Sequence, residues 1–133
     1  MVIGADTGFF VERSERNART LEIWEGILSG QDFLVVSVLT IAEFYAHQIQ
    51  VAKLAMAEKL VSEMQLAPNI SIVPVSLEIA AVSARYRRGM NLPTVDSIIF
   101  ATFLSMGSDV LVTTDSVFDQ DPVRSLIPVE LLA

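Results

Sequence analysis

Five short apolar runs are spaced along the chain: Val2–Ala5, Phe33–Ser37, Ile70–Pro74, Val110–Thr114 and Ile127–Leu131. Stretches of helical periodicity separate them. Ala18–Leu28 carries Leu21, Trp24, Ile27 and Leu28 at helical spacing and meets Gly30, a C-cap signal. Thr40-Ile41-Ala42-Glu43 matches a capping box, which predicts a helix from there to about Gln50, with a second helical stretch to Gln65. Pro68-Asn69 breaks the chain, and Leu77–Arg88 predicts a helix ended by Gly89. Pro93-Thr94 opens another through Met106, stopped by Gly107. Continuous apolar strands alternating with helices predict an α/β fold, with a mostly parallel sheet covered on both faces. No repeat or linker interrupts residues 1–133, which read as a single domain.

In open sheets of this kind, sites form at the carboxyl ends of the strands. Asp6 directly follows the first apolar run and Asp115 the fourth, so both belong at that edge. Glu43 lies one turn into the helix leaving the second run. Asp96 is placed by length: the helix from Thr94 to Met106 has about 13 residues and spans ~20 Å, and Val110–Thr114 returns ~17 Å. Asp96 and Asp115 should therefore finish side by side.

Each acid also has an ordinary explanation. Asp6 suits a turn, Glu43 completes the capping box with Thr40, Asp96 is favoured by a helix dipole, and Asp115 can cap a short helix near Ser116. Those readings leave the gathering of all four unexplained. Converging carboxylates repel unless a cation sits among them. The oxygen-only donor set suits Mg²⁺ or Mn²⁺. Zinc is disfavoured, because the chain has no cysteine and His47 is its only histidine.

The segments Ala5-Asp6-Thr7, Leu39–Phe44, Leu92–Thr102 and Leu111–Asp115 resemble the PIN-domain family, most closely the VapC-type ribonuclease toxins of toxin–antitoxin pairs. The resemblance extends from Val2 to about Leu131. It implies a three-layer α/β/α sandwich and Mg²⁺- or Mn²⁺-dependent endonucleolytic cleavage of RNA. It makes Asp6, Glu43, Asp96 and Asp115 the catalytic and metal-binding acids, with Thr7 and Thr114 as supporting hydroxyls. It further implies a homodimer and a small antitoxin whose tail covers the site. Asp119 and Asp121 fall where some relatives carry a further acid.

Composition qualifies this reading. The net charge of −7 is unfavourable for generic nucleic-acid binding, which relies on phosphate neutralisation. Arg85, Arg87 and Arg88 form the one tight basic cluster, either as RNA contacts or as a solvated helix end. The mean hydropathy of +0.51 suggests apolar surface left for a partner. No run approaches the length of a membrane span, the N-terminus does not read as a signal peptide, and the absence of cysteine fits a cytoplasmic protein. The competing class is a PIN-like domain that has little or no catalysis and acts by binding protein or RNA. Receiver and haloacid-dehalogenase-like classes fit poorly, since position 8 is glycine and no lysine follows Lys59.

Overall fold

The computed structural model describes residues 1–133. Its strands are β1 (Val2–Ala5), β2 (Phe33–Ser37), β3 (Ile70–Val73), β4 (Val110–Thr113) and β5 (Val129–Leu131). All neighbouring pairs are parallel, in the order β3-β2-β1-β4-β5. The order reverses at β1, so a crevice opens between the ends of β1 and β4, the kind of place where open α/β sheets hold their ligands.

Helices α1 (Thr7–Ser14), α2 (Ala18–Leu28), α3 (Val38–Gln50) and α4 (Leu54–Leu66) bring Phe9, Phe10, Trp24, Phe44 and Met64 to one sheet face. There they meet Ile3, Ala5, Leu34, Val36 and Val112. On the other face, Ile99, Phe100 and Phe103 of α6 (Thr94–Ser105) and Val123 of the short α7 (Asp121–Arg124) pack on Val35 and Leu111. Alternate strand residues thus feed opposite cores, as the two-residue side-chain period requires. The outcome is the expected α/β/α sandwich, with every strand parallel.

Gly4 lies directly beneath Phe103. A Cβ at that position would stand 2.6 Å from the ring, so the close approach of α6 to β1 needs a residue without a side chain.

Helix boundaries depart from expectation in three places. The helix expected to open at Thr40 begins at Val38, because the buried Ser37 at the end of β2 already caps it by accepting from the Leu39 amide at 3.2 Å. The Thr40–Glu43 capping box therefore does not form, and the buried Thr40 hydroxyl has no hydrogen-bond partner. Helix α5 (Leu77–Met90) runs through Gly89, since an exposed helical glycine costs only ~1 kcal/mol. Asn91 ends it instead, in the left-handed conformation at φ 53°. The third difference is α1, which carries Phe9 and Phe10 into the core although no apolar period announces it.

The route from α5 to α6 is a tight turn. Asn91 reverses the chain, Leu92 buries itself at 2% exposure, and Pro93 occupies the N-cap of α6. Tyr86 meets Phe100 edge-on, with ring centroids 5.0 Å apart, and fixes α5 on α6. At the far end of α6, Gly107 takes a positive φ of 69°. Asp109 then pins the turn to β1: its carboxylate accepts from the Val2 amide at 2.7 Å, and its own amide donates to the Val2 carbonyl at 2.7 Å.

Candidate metal centre

Asp6 ends β1 and serves as the N-cap residue of α1, so its carboxylate sits at the carboxyl edge with 7% exposure. The neighbouring strand holds it there. The buried Thr113 hydroxyl donates to Asp6 Oδ2 and accepts from the Asp115 amide at 2.9 Å. One hydroxyl therefore ties the acid after β1 to the acid after β4. Asp115 is fixed in turn by capping the 3-10 turn Ser116–Phe118, accepting from the Val117 amide at 3.0 Å. The capping role foreseen for Asp115 is real, and it uses only one carboxylate oxygen.

Glu43 projects from the second turn of α3. With the capping box absent, its partner is Thr7, whose hydroxyl donates to Glu43 Oε1 at 2.6 Å. That bond joins α3 to the first residue of α1, beside Asp6. Asp96 lies in the first turn of α6 and is half-buried.

Electrostatics connect the four acids. Burial raises Asp6 from 3.8 to about 6, against the lowering effect of the Thr113 hydroxyl; the Asp115 carboxylate adds to the rise. Burial also raises Asp96 to about 6, followed by repulsion from Asp115 and Glu43. The carboxylates thus feel one another in sequence: Asp6 with Asp115, Asp115 with Asp96, Asp96 with Glu43. No lysine or arginine is paired with any of them. Asp6 Oδ1 is buried and makes no hydrogen bond of full geometry, although the Gly8 and Phe9 amides lie close enough to the carboxylate to offset part of the rise.

A buried carboxylate oxygen with no full hydrogen bond, among like charges, is a site short of a cation. The geometry limits what kind. No three of the acidic side chains close tightly enough to hold an ion by themselves. The donor set therefore fits a hydrated hard ion such as Mg²⁺ or Mn²⁺, which completes its shell with waters, better than an ion needing an all-protein cage.

The hydroxyl that touches a carboxylate on β4 is Thr113, one residue before the expected Thr114. Thr114 is exposed, makes no hydrogen bond and stands over Gly8, where a Cβ would come within 2.0 Å of its Oγ1. The signal for Thr113 was its place as the last residue of β4, where its buried side chain faces the strand end that carries Asp6. Asp119 is engaged elsewhere, in an ion pair with Arg124 at 2.8 Å. Asp121 is the exposed first residue of α7. Arg85, Arg87 and Arg88 are exposed near the end of α5 and form no ion pair. Trp24 is a core residue, and Arg13 stacks over its ring at 4.3 Å. His47 Nδ1 accepts from the Gln48 side-chain amide at 3.0 Å and takes no part in the acidic cluster.

The model of the PIN domain matches residues 4–121, a span that includes all four acids. The chain belongs to the PIN-domain family. Solved structures place this PIN domain among known folds at low sequence identity. It is similar to a chain of VapBC2 from Rickettsia felis bound to a promoter DNA fragment, at 14% identity and a TM-score of 0.74, with 100% of both chains covered. It is similar to a chain of a toxin–antitoxin complex from Klebsiella pneumoniae, at 18% identity and TM-score 0.73, covering 98% of this chain and 96% of that one. FitAB bound to the IR36 DNA fragment matches at 20% identity and TM-score 0.66, covering 98% and 94%. No curated protein sequence matches. The resemblance read from the four acidic segments is thereby borne out, and the PIN domain has the fold seen in VapC-type structures. No helix of this PIN domain is long and apolar enough to cross a membrane.

Proposed function

We propose that this PIN domain is a divalent-metal-dependent endoribonuclease acting as the toxin of a toxin–antitoxin pair. The observation that carries the proposal is the buried Asp6 Oδ1, without a full hydrogen bond, in a cluster of acids with no paired cation. Asp6, Asp96 and Asp115 are the proposed ligands, with Glu43 at the open side, where its exposure suits contact through water. Thr113 orients Asp6, and Thr7 orients Glu43. The chemistry supplied by Mg²⁺ or Mn²⁺, when bound, is Lewis acidity: acidification of water and neutralisation of phosphate charge. In the hydrolysis, water adds to phosphorus and the bond to the 3′ oxygen breaks. A proton returned to that oxygen leaves a 3′-hydroxyl and a 5′-phosphate.

Membership of the PIN family supports nuclease chemistry, and the similarity to chains of toxin–antitoxin complexes supports an antitoxin partner. Exposed apolar side chains such as Met56, Leu66 and Leu77 support protein contacts, through an antitoxin or a homodimer. A cytoplasmic location belongs to the same reading, since cellular RNA is the substrate. The direct test is incubation of purified protein with structured RNAs, with Mn²⁺ or with chelator. Internal cuts bearing 5′-phosphate ends, present with Mn²⁺ and absent with chelator, are expected; metal-independent cleavage would refute the mechanism.

The second reading is a weakly catalytic domain that works by binding. It is favoured by the failure of any three acids to close on an ion and by the net charge of −7. It predicts no metal-dependent cleavage, and partner affinity that survives neutralisation of all four acids.

A further inference from the structure

We infer that the groove between the end of α5 and the start of α6 is a phosphate-binding track for single-stranded RNA, with Arg87 and Arg88 as the residues that hold the strand. The inference rests on the ribonuclease reading and adds where the substrate lies.

The groove measures about 790 Å³ and is lined by Ala84, Arg87, Arg88, Asn91, Leu92 and Pro93. It is open, as a track for a polymer must be. Its floor is rigid, because Leu92 is buried and the Tyr86–Phe100 contact fixes α5 on α6. Pro93 is the N-cap of α6 and Asp96 follows three residues later. A strand crossing the acids therefore reaches the groove within one helical turn.

Charge selects the occupant. The chain has 16 acidic residues and 9 basic ones, yet only two of its seven arginines are held in ion pairs. Arg19 pairs with Glu22 and Glu130, and Arg124 with Asp119. Arg87 and Arg88 form no ion pair, as is also true of Arg13, Arg16 and Arg85; what sets these two apart is a groove whose Pro93 wall lies three residues before Asp96. A favourable helix-end position accounts for cations at the end of α5, and equally for Arg85. It does not account for two of them walling a groove that opens beside Asp96. The start of α6 itself, which no side chain caps, follows directly on Pro93 of the groove wall. Two guanidinium groups along an open track match successive phosphates of a flexible strand. The cluster thus supplies the local positive field that the overall charge withholds.

The experiment measures affinity of a 5′-fluorescein-labelled, mixed-sequence single-stranded RNA for the Asp96→Asn chain in Mg²⁺, which permits binding without turnover. Salt is varied, and R87Q/R88Q, R87K/R88K and R85Q are compared in that background. R87Q/R88Q is expected to weaken binding by about tenfold and to reduce the slope of log affinity against log salt by about 1.4, the value for two single-strand phosphate contacts. R87K/R88K should retain most of the slope, which separates lost charge from lost folding, and R85Q should change little. An unchanged slope in R87Q/R88Q, or an equal loss in R85Q, overturns the track while leaving the ribonuclease reading standing. Loss of binding to polyglutamate with RNA binding intact would reassign the groove to an acidic protein and also overturn it. Absence of RNA binding in the parent chain would remove both readings together.

Discussion

Replacing Asp96 by asparagine should lower metal-dependent RNA cleavage by roughly 100-fold, the upper end of the scale at which even outer-shell partners of bound metals act. The same substitution should leave the metal-free protein as stable as the parent, or more so. Asp96 is half-buried at the start of α6 and faces two other carboxylates, so its charge is a liability to the empty fold. Asparagine keeps the shape and removes the repulsion. Opposite movement of rate and stability is the signature of a residue kept for function. Single-turnover cleavage with Mn²⁺ and denaturant unfolding in chelator measure the two quantities. Full-rate cleavage by Asp96→Asn would remove the carboxylate from the mechanism. A large loss of stability would make Asp96 a structural acid.

Asp6 carries the second large expectation. Its folded-state pKa, about 6, lies above the ordinary 3.8, so the folded chain binds this proton more tightly than the unfolded chain. The associated stability is fully present below about 3.8 and is lost as pH rises through about 6. The shift corresponds to about 3 kcal/mol lost by neutral pH. Asp96 shifts in the same direction, but its greater exposure discounts its share. Glu130 has the opposite sign: bonded to Arg19, it is held below its ordinary value and loses its contribution as pH falls. A substitution isolates Asp6 from such opposing groups. In chelator, the stability of Asp6→Asn relative to the parent should grow by about 2 kcal/mol between pH 4 and 7. Excess Mn²⁺ should stabilise the parent increasingly over the same range, because each ion bound displaces the proton. Denaturant titrations at the two pH values decide it. A pH-independent difference would mean that Asp6 is not the strained acid of the cluster.

The chain announces the edge of the sheet more clearly than it announces what binds there. Asp6 and Asp115 are legible because buried parallel strands are continuous apolar runs, and the first charged residue after each run marks the strand's carboxyl end. Asp96 follows from matching the length of α6 to the return along β4. Glu43 was obscured by a motif that fits Thr40–Glu43 by spacing alone. Ser37, at the end of β2, had already taken the capping role, and that choice depends on where the strand stops. The hydroxyl on Asp6 belongs to Thr113, one residue before the Thr114 that the family resemblance points to; two adjacent threonines differ only in which face of β4 each takes, and that depends on where the strand ends. Helix α1 was illegible because its aromatic pair, Phe9 and Phe10, are adjacent and carry no helical period. The turn from α5 to α6 depends on the left-handed Asn91, a conformation that spacing does not encode.

The proposed metal centre is a hydrated hard divalent ion at the ends of β1 and β4, reached by Asp6, Asp96 and Asp115 directly or through water and by Glu43 through water. Crystals of the protein soaked in Mn²⁺ test it most directly through anomalous scattering. A manganese peak within reach of Asp6 Oδ1, between Asp6 and Asp115 and on the side facing Asp96, is the predicted result. Manganese bound elsewhere on the surface with this cluster empty would contradict it.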